Sequence, residues 1–226
     1  AGRTGGLPFV GVGWYRTEFD VPQFQAGKRA TILFDGAMSH ANVYINGQKV
    51  GYWPYGYNSF HFDITKYLKP GEKNTLAVRL ENLPESSRWY PGAGLYRNVH
   101  LIITEDAYIP VWGTYITTPS VNEKFAKVNV RTKVVLPEGA DPAKYSVETS
   151  VWNPNKQKLT AVRTSLAQMK YNNNQAEQEF VIQAPSLWSP EMPALYSAET
   201  RLYEGDKLKD IYTTPFGIRS IEIIPD

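Results

Sequence analysis

The chain has 226 residues, of which 42% are hydrophobic and 20% charged, with a formal net charge of +2 and no cysteine. Its lysines and arginines are scattered, which argues against a phosphate-binding nucleic-acid surface and against a polybasic membrane contact. No stretch approaches the roughly 18 apolar residues of a membrane helix. Without cysteine, neither disulfides nor thiolate metal sites can form. The length fits two β-sandwiches of about 100 residues each.

Short alternating segments separated by turn residues fill the first half of the chain and predict strands. They are YRTEFDV, RATILFDG, NVYINGQKVGYW, SFHFDIT, TLAVRLEN and NVHLIIT. The third is the clearest hairpin, because Asn46-Gly47 supplies a two-residue turn of positive φ between apolar strands. No ten-residue window carries the apolar stripe of an amphipathic helix. The pattern predicts a jelly-roll-like β-sandwich over residues 1–105.

The sequence pattern changes after Thr104, where a segment with two prolines precedes a second series of predicted strands. Six or seven strands are predicted by AKVNVRTKVVL, YSVETSVWN, QKLTAVRTSLA, AEQEFVIQAP, LYSAETRLYEGDKLKDIYTT and FGIRSIEII. A turn at Glu204-Gly205-Asp206 joins two of them. This number of short strands is typical of an immunoglobulin-like sandwich. We therefore expect an all-β protein whose second domain, over residues 106–226, is immunoglobulin-like.

The histidines and short motifs predict no metal site and no covalent nucleophile. His40, His61 and His100 lack the spacing and the neighbouring carboxylates of a zinc site. The two that lie in strands are expected to be packed or solvated strand residues. No G-x-S-x-G elbow, P-loop or G-x-G-x-x-G after a strand is present. We expect no metal and no cofactor.

Glycosidase chemistry would need two carboxyl groups that flank the scissile bond. The candidates in the first domain are Asp35, Asp63, Glu81 and Glu85. Asp63 is expected to cap the turn that follows it, whereas Glu81 ends a strand beside an aromatic loop and could reach a ligand. None of them forms a recognisable acid/base pair. We therefore assign no catalytic residue from these carboxylates.

Two aromatic loops with proline and glycine give the strongest sign of a binding site. They are YWPYGYNSF, residues 52–60, and SSRWYPGAG, residues 86–94. Loops at one end of a sandwich often carry binding residues, and two such loops would offer rings for stacking and polar groups for hydroxyls. The candidate substrate-binding residues are Arg88, Trp89, Tyr90, Asn82, Tyr57 and Asn58. The residues leave open the alternative that these loops seal against another domain.

Several segments, taken in order, resemble the N-terminal sugar-binding domain of glycoside hydrolase family 2, and bacterial β-galactosidases in particular. They are VGWYRTEFDVP, FDGAMSHANVYINGQKVG, PYGYNSFHFDITKYLKPGEKNTLAVRLEN and SRWYPGAGLYRNVHL. The segments WSPEMPALYSAETRLY and TTPFGIRSIEI resemble the end of the immunoglobulin-like domain that follows in that family. The resemblance implies a galactose-binding-like first sandwich. It also implies a retaining glycosidase whose catalytic glutamates lie in a later (β/α)₈ barrel.

A barrel of about 250 residues does not fit in this chain, so the resemblance implies a non-catalytic N-terminal fragment. The fragment would begin after the family's usual first strand or two. Its partners would be the catalytic barrel and, through the barrel, a β-glycoside; no nucleic acid or membrane partner is expected, and a homo-oligomer stays open. By resemblance alone, the parent protein would be periplasmic or secreted.

The resemblance also points to one position in the second aromatic loop. In the family, the loop before the G-I/L-x-R strand carries a residue, an aspartate in some members, that touches the sugar. Counting back from Gly94, Arg88 occupies that position here. The resemblance therefore implies where the sugar contact lies, but a basic side chain stands where some members have an acidic one. Trp89 and Tyr90 could equally pack against the barrel.

Two further functions stay open on the sequence. The chain could be a free-standing carbohydrate-binding module that uses the same aromatic loops. It could also be a structural pair of sandwiches that mediates oligomer contacts. Family members cleave β-galactosides, β-glucuronides or β-mannosides, and the residues that decide between them lie largely in the barrel.

Overall fold

A computed structural model of the chain describes residues 11–23, 27–83, 93–168 and 175–221. The chain divides into two compact units, unit 1 (residues 1–104) and unit 2 (residues 105–226). Both units consist of antiparallel strands, with only short 3₁₀ turns among the described residues. The predicted all-β fold is confirmed.

The described part of unit 1 has seven strands in two sheets. The strands are β1 (Gly11–Asp20), β2 (Arg29–Phe34), β3 (Ala41–Ile45), β4 (Gln48–Trp53), β5 (Phe60–Asp63), β6 (Lys73–Asn82) and β7 (Val99–Thr104). One sheet has the order β1-β6-β3-β4, and the other has the order β5-β2-β7. Most connections cross from one sheet to the other, as expected for a jelly-roll-like sandwich.

The core of unit 1 follows from the period of two along its strands. On β6, Leu76, Val78 and Leu80 are buried and face the other sheet. Phe34 of β2 is fully buried and stacks on Phe60 of β5 with ring centroids 4.8 Å apart. Burial of each such side chain contributes about 1.5–3 kcal/mol, so the alternating pattern read from the sequence is also what holds the two sheets together.

The predicted hairpin is confirmed at β3–β4. Asn46 and Gly47 have φ values of 51° and 81°, which is the pair of positive angles that a two-residue turn of type I′ requires. A Cβ on Gly47 would meet nothing within 4 Å. The backbone angle, and not the available space, therefore selects glycine at this position.

Two asparagines, Asn46 and Asn74, close this end of the sandwich; we call them the asparagine clasp. The Asn46 side chain donates to Tyr67 O at 2.9 Å and accepts from Thr75 N at 2.9 Å. Asn74, 1% exposed, accepts from Asn46 Nδ2 and Lys69 N, each at 2.8 Å, and donates to two further backbone carbonyls. Because its amide is fully paired, the polar group is buried without a large penalty.

The predicted role of Asp63 is also confirmed. Its Oδ1 accepts from Thr65 N at 2.9 Å, at the start of a 3₁₀ turn over Thr65–Tyr67. Asp63 also pairs with Arg29 at 3.5 Å. Its carboxylate is therefore used in a structural turn.

The described part of unit 2 also has seven strands. They are β8 (Thr114–Val121), β9 (Phe125–Lys133), β10 (Tyr145–Trp152), β11 (Lys158–Ser165), β12 (Gln175–Gln183), β13 (Tyr196–Glu204) and β14 (Lys207–Phe216). The orders β11-β10-β13-β14 and β12-β9-β8 define its two sheets. The strand count agrees with the predicted immunoglobulin-like sandwich, and the β13–β14 turn lies at Gly205-Asp206 as expected.

One strand prediction was wrong. FGIRSIEII was expected to continue as a strand, but β14 ends at Phe216 and residues 217–221 form none. Ile218 is fully buried, and its carbonyl accepts from Trp188 N at 2.8 Å. A Cβ on Gly217 would lie 2.9 Å from Trp188 Cβ. The apolar alternation here therefore reflects packing of an irregular segment against Trp188.

Candidate functional site

Three loops of unit 1 emerge at the end opposite the asparagine clasp, because successive strands run in alternating directions. They are residues 35–40 between β2 and β3, residues 54–59 between β4 and β5, and the described residues 93–98 before β7. We call this end the rim. The first residue of β1, Gly11, and the last of β6, Asn82, pair with each other at the same end. Candidate site residues far apart in sequence therefore meet in space.

Backbone hydrogen bonds join the three loops of the rim. Met38 and Gly94 exchange two bonds of 3.0 Å each, one from either amide. Asp35 N donates to Asn98 O at 3.0 Å, and His40 N donates to Pro54 O at 3.1 Å. The loops are thus held by backbone pairing, and the side chains on them are presented from a fixed frame.

Two glycines allow the loops to approach so closely. Gly94 has a φ of +104°, and a Cβ there would overlap the hydroxyl oxygen of Tyr15. A Cβ on Gly36 would lie 2.7 Å from the Tyr96 ring. Tyr96 in turn donates its hydroxyl to Gly56 O at 2.7 Å, which joins residues 93–98 to the first aromatic loop.

Three of the predicted site residues lie at the rim. Tyr57 is 48% exposed and packs against Tyr55, with ring centroids 5.6 Å apart. Asn58 is exposed, and its Oδ1 accepts from Trp53 Nε1 at 3.0 Å, which orients the amide. Asn82 is half-buried and continues the inward-facing series of β6. Arg88, Trp89 and Tyr90, together with the carboxylate candidate Glu85, lie outside the described residues.

The structure shows side-chain contacts at the rim that the sequence did not predict. His100 Nε2 lies 2.9 Å from Asp35 Oδ2, and Ser59 Oγ donates to the backbone oxygen of Asp35 at 3.1 Å. His40 Nδ1 and the Tyr52 hydroxyl are hydrogen-bonded at 2.6 Å. The Asp35–His100 contact joins positions 65 residues apart, and no local pattern in the sequence signals it.

The described carboxylates of the rim are already engaged by basic groups. Glu81, whose amide donates to Ser39 O at 2.9 Å, pairs with Arg79. The hydrogen bond from Arg79 holds the pKa of Glu81 below its usual value. Partial desolvation acts in the opposite direction and raises this pKa, and the charges of Arg79 and His40 lower it further. A glycosidase acid needs a raised pKa instead. Glu81 therefore does not have the raised pKa of such an acid.

The part of the chain that the structure describes contains no group of three or more histidine or acidic side chains that could hold a metal ion. Within the same residues, no helix is long and apolar enough to cross a membrane.

Unit 2 carries a separate open groove of about 700 Å³. Its lining includes Tyr115, Trp188, Phe216 and Arg219, and the Arg219 guanidinium stacks 4.8 Å from the Trp188 ring centre. None of the described residues that line it is a carboxylate. The described lining therefore supplies no pair of carboxyl groups of the kind that glycoside hydrolysis uses.

Two family models match the chain, one after the other. The model described as glycosyl hydrolases family 2, sugar binding domain, matches residues 8–105. The model described as glycosyl hydrolases family 2 matches residues 108–219. The chain belongs to glycosyl hydrolase family 2, as the resemblance of its motifs predicted.

Known relatives are similar to this chain over almost its whole length. The beta-galactosidase BoGH2A of Bacteroides ovatus is 39% identical over 224 residues, which cover 99% of this chain and 26% of that protein. A beta-glucuronidase of Formosa agariphila is 30% identical over 96% of this chain and 24% of its own length. The crystal structure of a family 2 member from Bacteroides cellulosilyticus gives a TM-score of 0.83 at 33% identity, covering 94% of this chain and 27% of that one. The chain spans about a quarter of the length of these relatives.

Proposed function

We propose that this chain is the non-catalytic N-terminal portion of a retaining family 2 glycosidase of β-galactosidase type. Consecutive matches to the sugar binding domain and to the second family model support the proposal. The relatives are about four times as long as this chain, which leaves ample length in them for a barrel of about 250 residues. The 39% identity to a protein named beta-galactosidase favours a β-galactoside as the parent's substrate.

In this proposal, the rim of unit 1 forms one wall of the sugar site and braces the barrel. Tyr57 offers an exposed ring, and Asn58 offers an oriented amide beside it. Asn82 ends β6 at the same end of the sandwich. By resemblance, Arg88 occupies the position of a sugar-contacting residue, and Trp89 and Tyr90 follow it in the sequence. The catalytic glutamates belong to the barrel.

The test is the activity of the full-length natural protein on nitrophenyl β-galactoside, β-glucuronide and β-mannoside. We expect the β-galactoside to give the highest kcat/KM, and Arg88→Ala and Asn58→Ala each to lower it by about tenfold, equivalent to about 1.4 kcal/mol of binding. Tyr115→Ala, at a site 62% exposed in unit 2, is the matched control and should leave kcat/KM unchanged. A full-length protein inert on every aryl glycoside would overturn the proposal.

We also propose that the parent protein acts in the periplasm or outside the cell. The support is the family resemblance alone. Fractionation of source cells, followed by detection with an antibody against this chain, tests it. Recovery with the cytoplasmic fraction would contradict it.

A second candidate function is carbohydrate binding by these two units without a barrel. The exposed, mutually packed rings of Tyr55 and Tyr57 favour it. Titration of the 226-residue chain with galactosides, followed by tryptophan fluorescence, separates the two functions. We expect weak binding, because one wall of a pocket leaves most of the sugar hydrated. Tight binding would favour the second function.

A further inference from the structure

The outer face of the β1-β6-β3-β4 sheet carries a group of side chains that the rim does not include. Strand register aligns Trp14 with Arg79 and Asn42 in one row across β1, β6 and β3. The next row contains Arg16, Ala77, Tyr44 and Lys49 in that order. Because Val78 between these rows on β6 is fully buried, the alternation of the strand turns both rows outward.

Two aromatic rings dominate this face. Trp14 is 59% exposed, and its ring centre lies 5.5 Å from that of Tyr44, with the planes tilted by 39°. Ala77 lies on the central strand β6 between Arg16 and Tyr44 and has only a methyl side chain. We call Trp14, Tyr44, Ala77 and Arg16 the platform. It presents an open, tilted aromatic surface beside a guanidinium group.

Basic and acidic groups both border the platform, and Glu18, exposed one row beyond Arg16 on the same face of β1, has no ion-pair partner within the described residues. Arg79 and Glu81 neutralise each other. Within the described part of the chain, Arg16 and Lys49 form no ion pair, and both are exposed. The row through Ala77 therefore has a positive group at each end. This favours a ligand that joins a flat, partly apolar body to a negative charge.

We propose that the platform is a binding site for a saccharide that carries a carboxylate or sulfate group. The C–H face of the pyranose ring packs on Trp14 and Tyr44, where an amphipathic ring gains from a large aromatic contact. The anionic group pairs with Arg16, whose planar guanidinium fits a carboxylate or sulfate through two parallel bonds. The site lies on a sheet face and uses none of the rim side chains, so it is additional to the proposed wall of the catalytic pocket.

The site is shallow, which sets the strength of binding. An open surface covers much less of a ligand than an enclosed pocket does. The expected dissociation constant is therefore on the order of millimolar. An exposed charge pair is worth at most about 1 kcal/mol, so an acidic saccharide should bind about fivefold more tightly than its neutral counterpart.

The experiment is a titration of the ¹⁵N-labelled 226-residue chain, followed through the indole N–H signals of its six tryptophans. Cellobiuronic acid and cellobiose serve as probes, because they differ only in one carboxylate. Trp14→Phe identifies the Trp14 signal by its disappearance. Trp53, whose indole donates to Asn58 at the rim, reports separately on the rim.

We expect the Trp14 signal to shift with cellobiuronic acid and the Trp53 signal to stay. Cellobiose should require about five times the concentration. Arg16→Gln should remove this difference while the chain stays folded, because the side chain is exposed; Lys158→Gln, an exposed change in unit 2, should leave it. About 0.5 M NaCl should also weaken the preference.

Three results would overturn the platform site. They are an unmoved Trp14 signal up to about 20 mM saccharide, equal affinity for the two disaccharides, and an unchanged preference in Arg16→Gln. A shift confined to Trp53 would also reject it, while placing the saccharide at the rim in agreement with the proposed function. The two proposals can therefore fail independently.

Discussion

The two units share a sandwich architecture but differ in what their surfaces carry. Unit 1 exposes aromatic rings, such as Tyr55 and Tyr57 at the rim and Trp14 on a sheet face. In unit 2, the outer face of β8, β9 and β12 carries ion pairs beside the exposed ring of Tyr115, with Arg131–Glu177 at 3.6 Å and Lys127–Glu179 at 3.7 Å. Such exposed pairs contribute little stability. The comparison shows that an all-β sandwich does not locate a function by itself, whereas the rings and polar groups grafted on it do.

The loops of the two units differ in the same sense. In unit 1, the rim loops bond to each other, and Gly94 lies against Tyr15. In unit 2, Gly139 has a φ of +74° in a turn where a Cβ would meet nothing within 4 Å. Gly94 allows a close approach to Tyr15, whereas Gly139 only provides the positive φ of its own turn.

Gly94→Ala should give the largest effect, a loss of about 3 kcal/mol, because it adds a clash with Tyr15 to the strain of a positive φ. Gly139→Ala carries the strain alone and should cost about 1 kcal/mol. Native-state hydrogen exchange of β2 amides for unit 1 and β10 amides for unit 2 measures each unit separately.

The double variant Gly94→Ala/Tyr15→Phe removes the clashing oxygen but leaves the ring carbon Cζ, 3.2 Å from the added Cβ. It should recover about 1 kcal/mol of the loss relative to Tyr15→Phe alone. Equal losses at Gly94 and Gly139 would mean that the rim contact adds nothing.

Gln178→Met should give an intermediate effect in unit 2, a loss of about 1.5 kcal/mol. Gln178 is 2% exposed, and the two hydrogens of its Nε2 are shared across the sandwich among Val147 O at 3.1 Å, Val162 O at 2.8 Å and Thr164 Oγ1 at 3.1 Å, while its Oε1 is buried with no hydrogen-bond partner within the described residues. Methionine keeps the approximate volume and removes these bonds. Urea unfolding followed by exchange of the β10 amides measures the loss.

Glu179→Met is the control for this prediction, since Glu179 is the next residue on the same strand and its side chain is 56% exposed. It should change the free energy of unfolding by less than about 0.5 kcal/mol. A more stable Gln178→Met variant would show that the three hydrogen bonds only offset the burial of the amide.

Arg79→Ala should give the smallest effect, seen in titration. The bond from Arg79 is the main reason that the pKa of Glu81 is lowered, so the variant should move it back toward its usual value. Because the folded-state pKa is the lower one, the pair stabilises unit 1 above the ordinary glutamate pKa, and this contribution disappears as the pH falls through the folded value. Carboxyl ¹³C NMR measures the titration.

His40→Gln is the control, since the charge of His40 contributes last among the causes that lower the pKa of Glu81. It should leave most of the shift in place. Identical Glu81 titrations in wild-type and Arg79→Ala protein would contradict the assigned cause.

The sequence was informative wherever the signal is local. The Asn46-Gly47 turn, the cap by Asp63 and the alternation on β6 all depend on neighbours within a few positions. The fold class followed from such patterns, and the family followed from ordered motifs. The false strand after Phe216 arose because burial against Trp188 mimics the alternation of a strand.

The site was less predictable because its contacts join distant segments. Tyr57, Asn58 and Asn82 could be proposed from loop composition, but the Asp35–His100 pair and the Tyr96 contact with Gly56 could not. Trp14 directly precedes the predicted strand YRTEFDV, and only the register across β1, β6 and β3 shows that it shares an exposed face with Tyr44. Arg88, Trp89 and Tyr90 stay predictions.

The asparagine clasp has a consequence for how this domain can diversify. Asn46 and Asn74 consume every amide group they have in tying the turn end together. An insertion there would leave buried polar groups without partners, at about 1–3 kcal/mol for each group. Asn82 and Ala93 lie at the opposite end of the sandwich from this clasp, so the segment between them can change in length and composition without disturbing it. Loop grafting should therefore keep the end with the asparagine clasp unchanged and vary the rim, where the proposed ligand contacts lie.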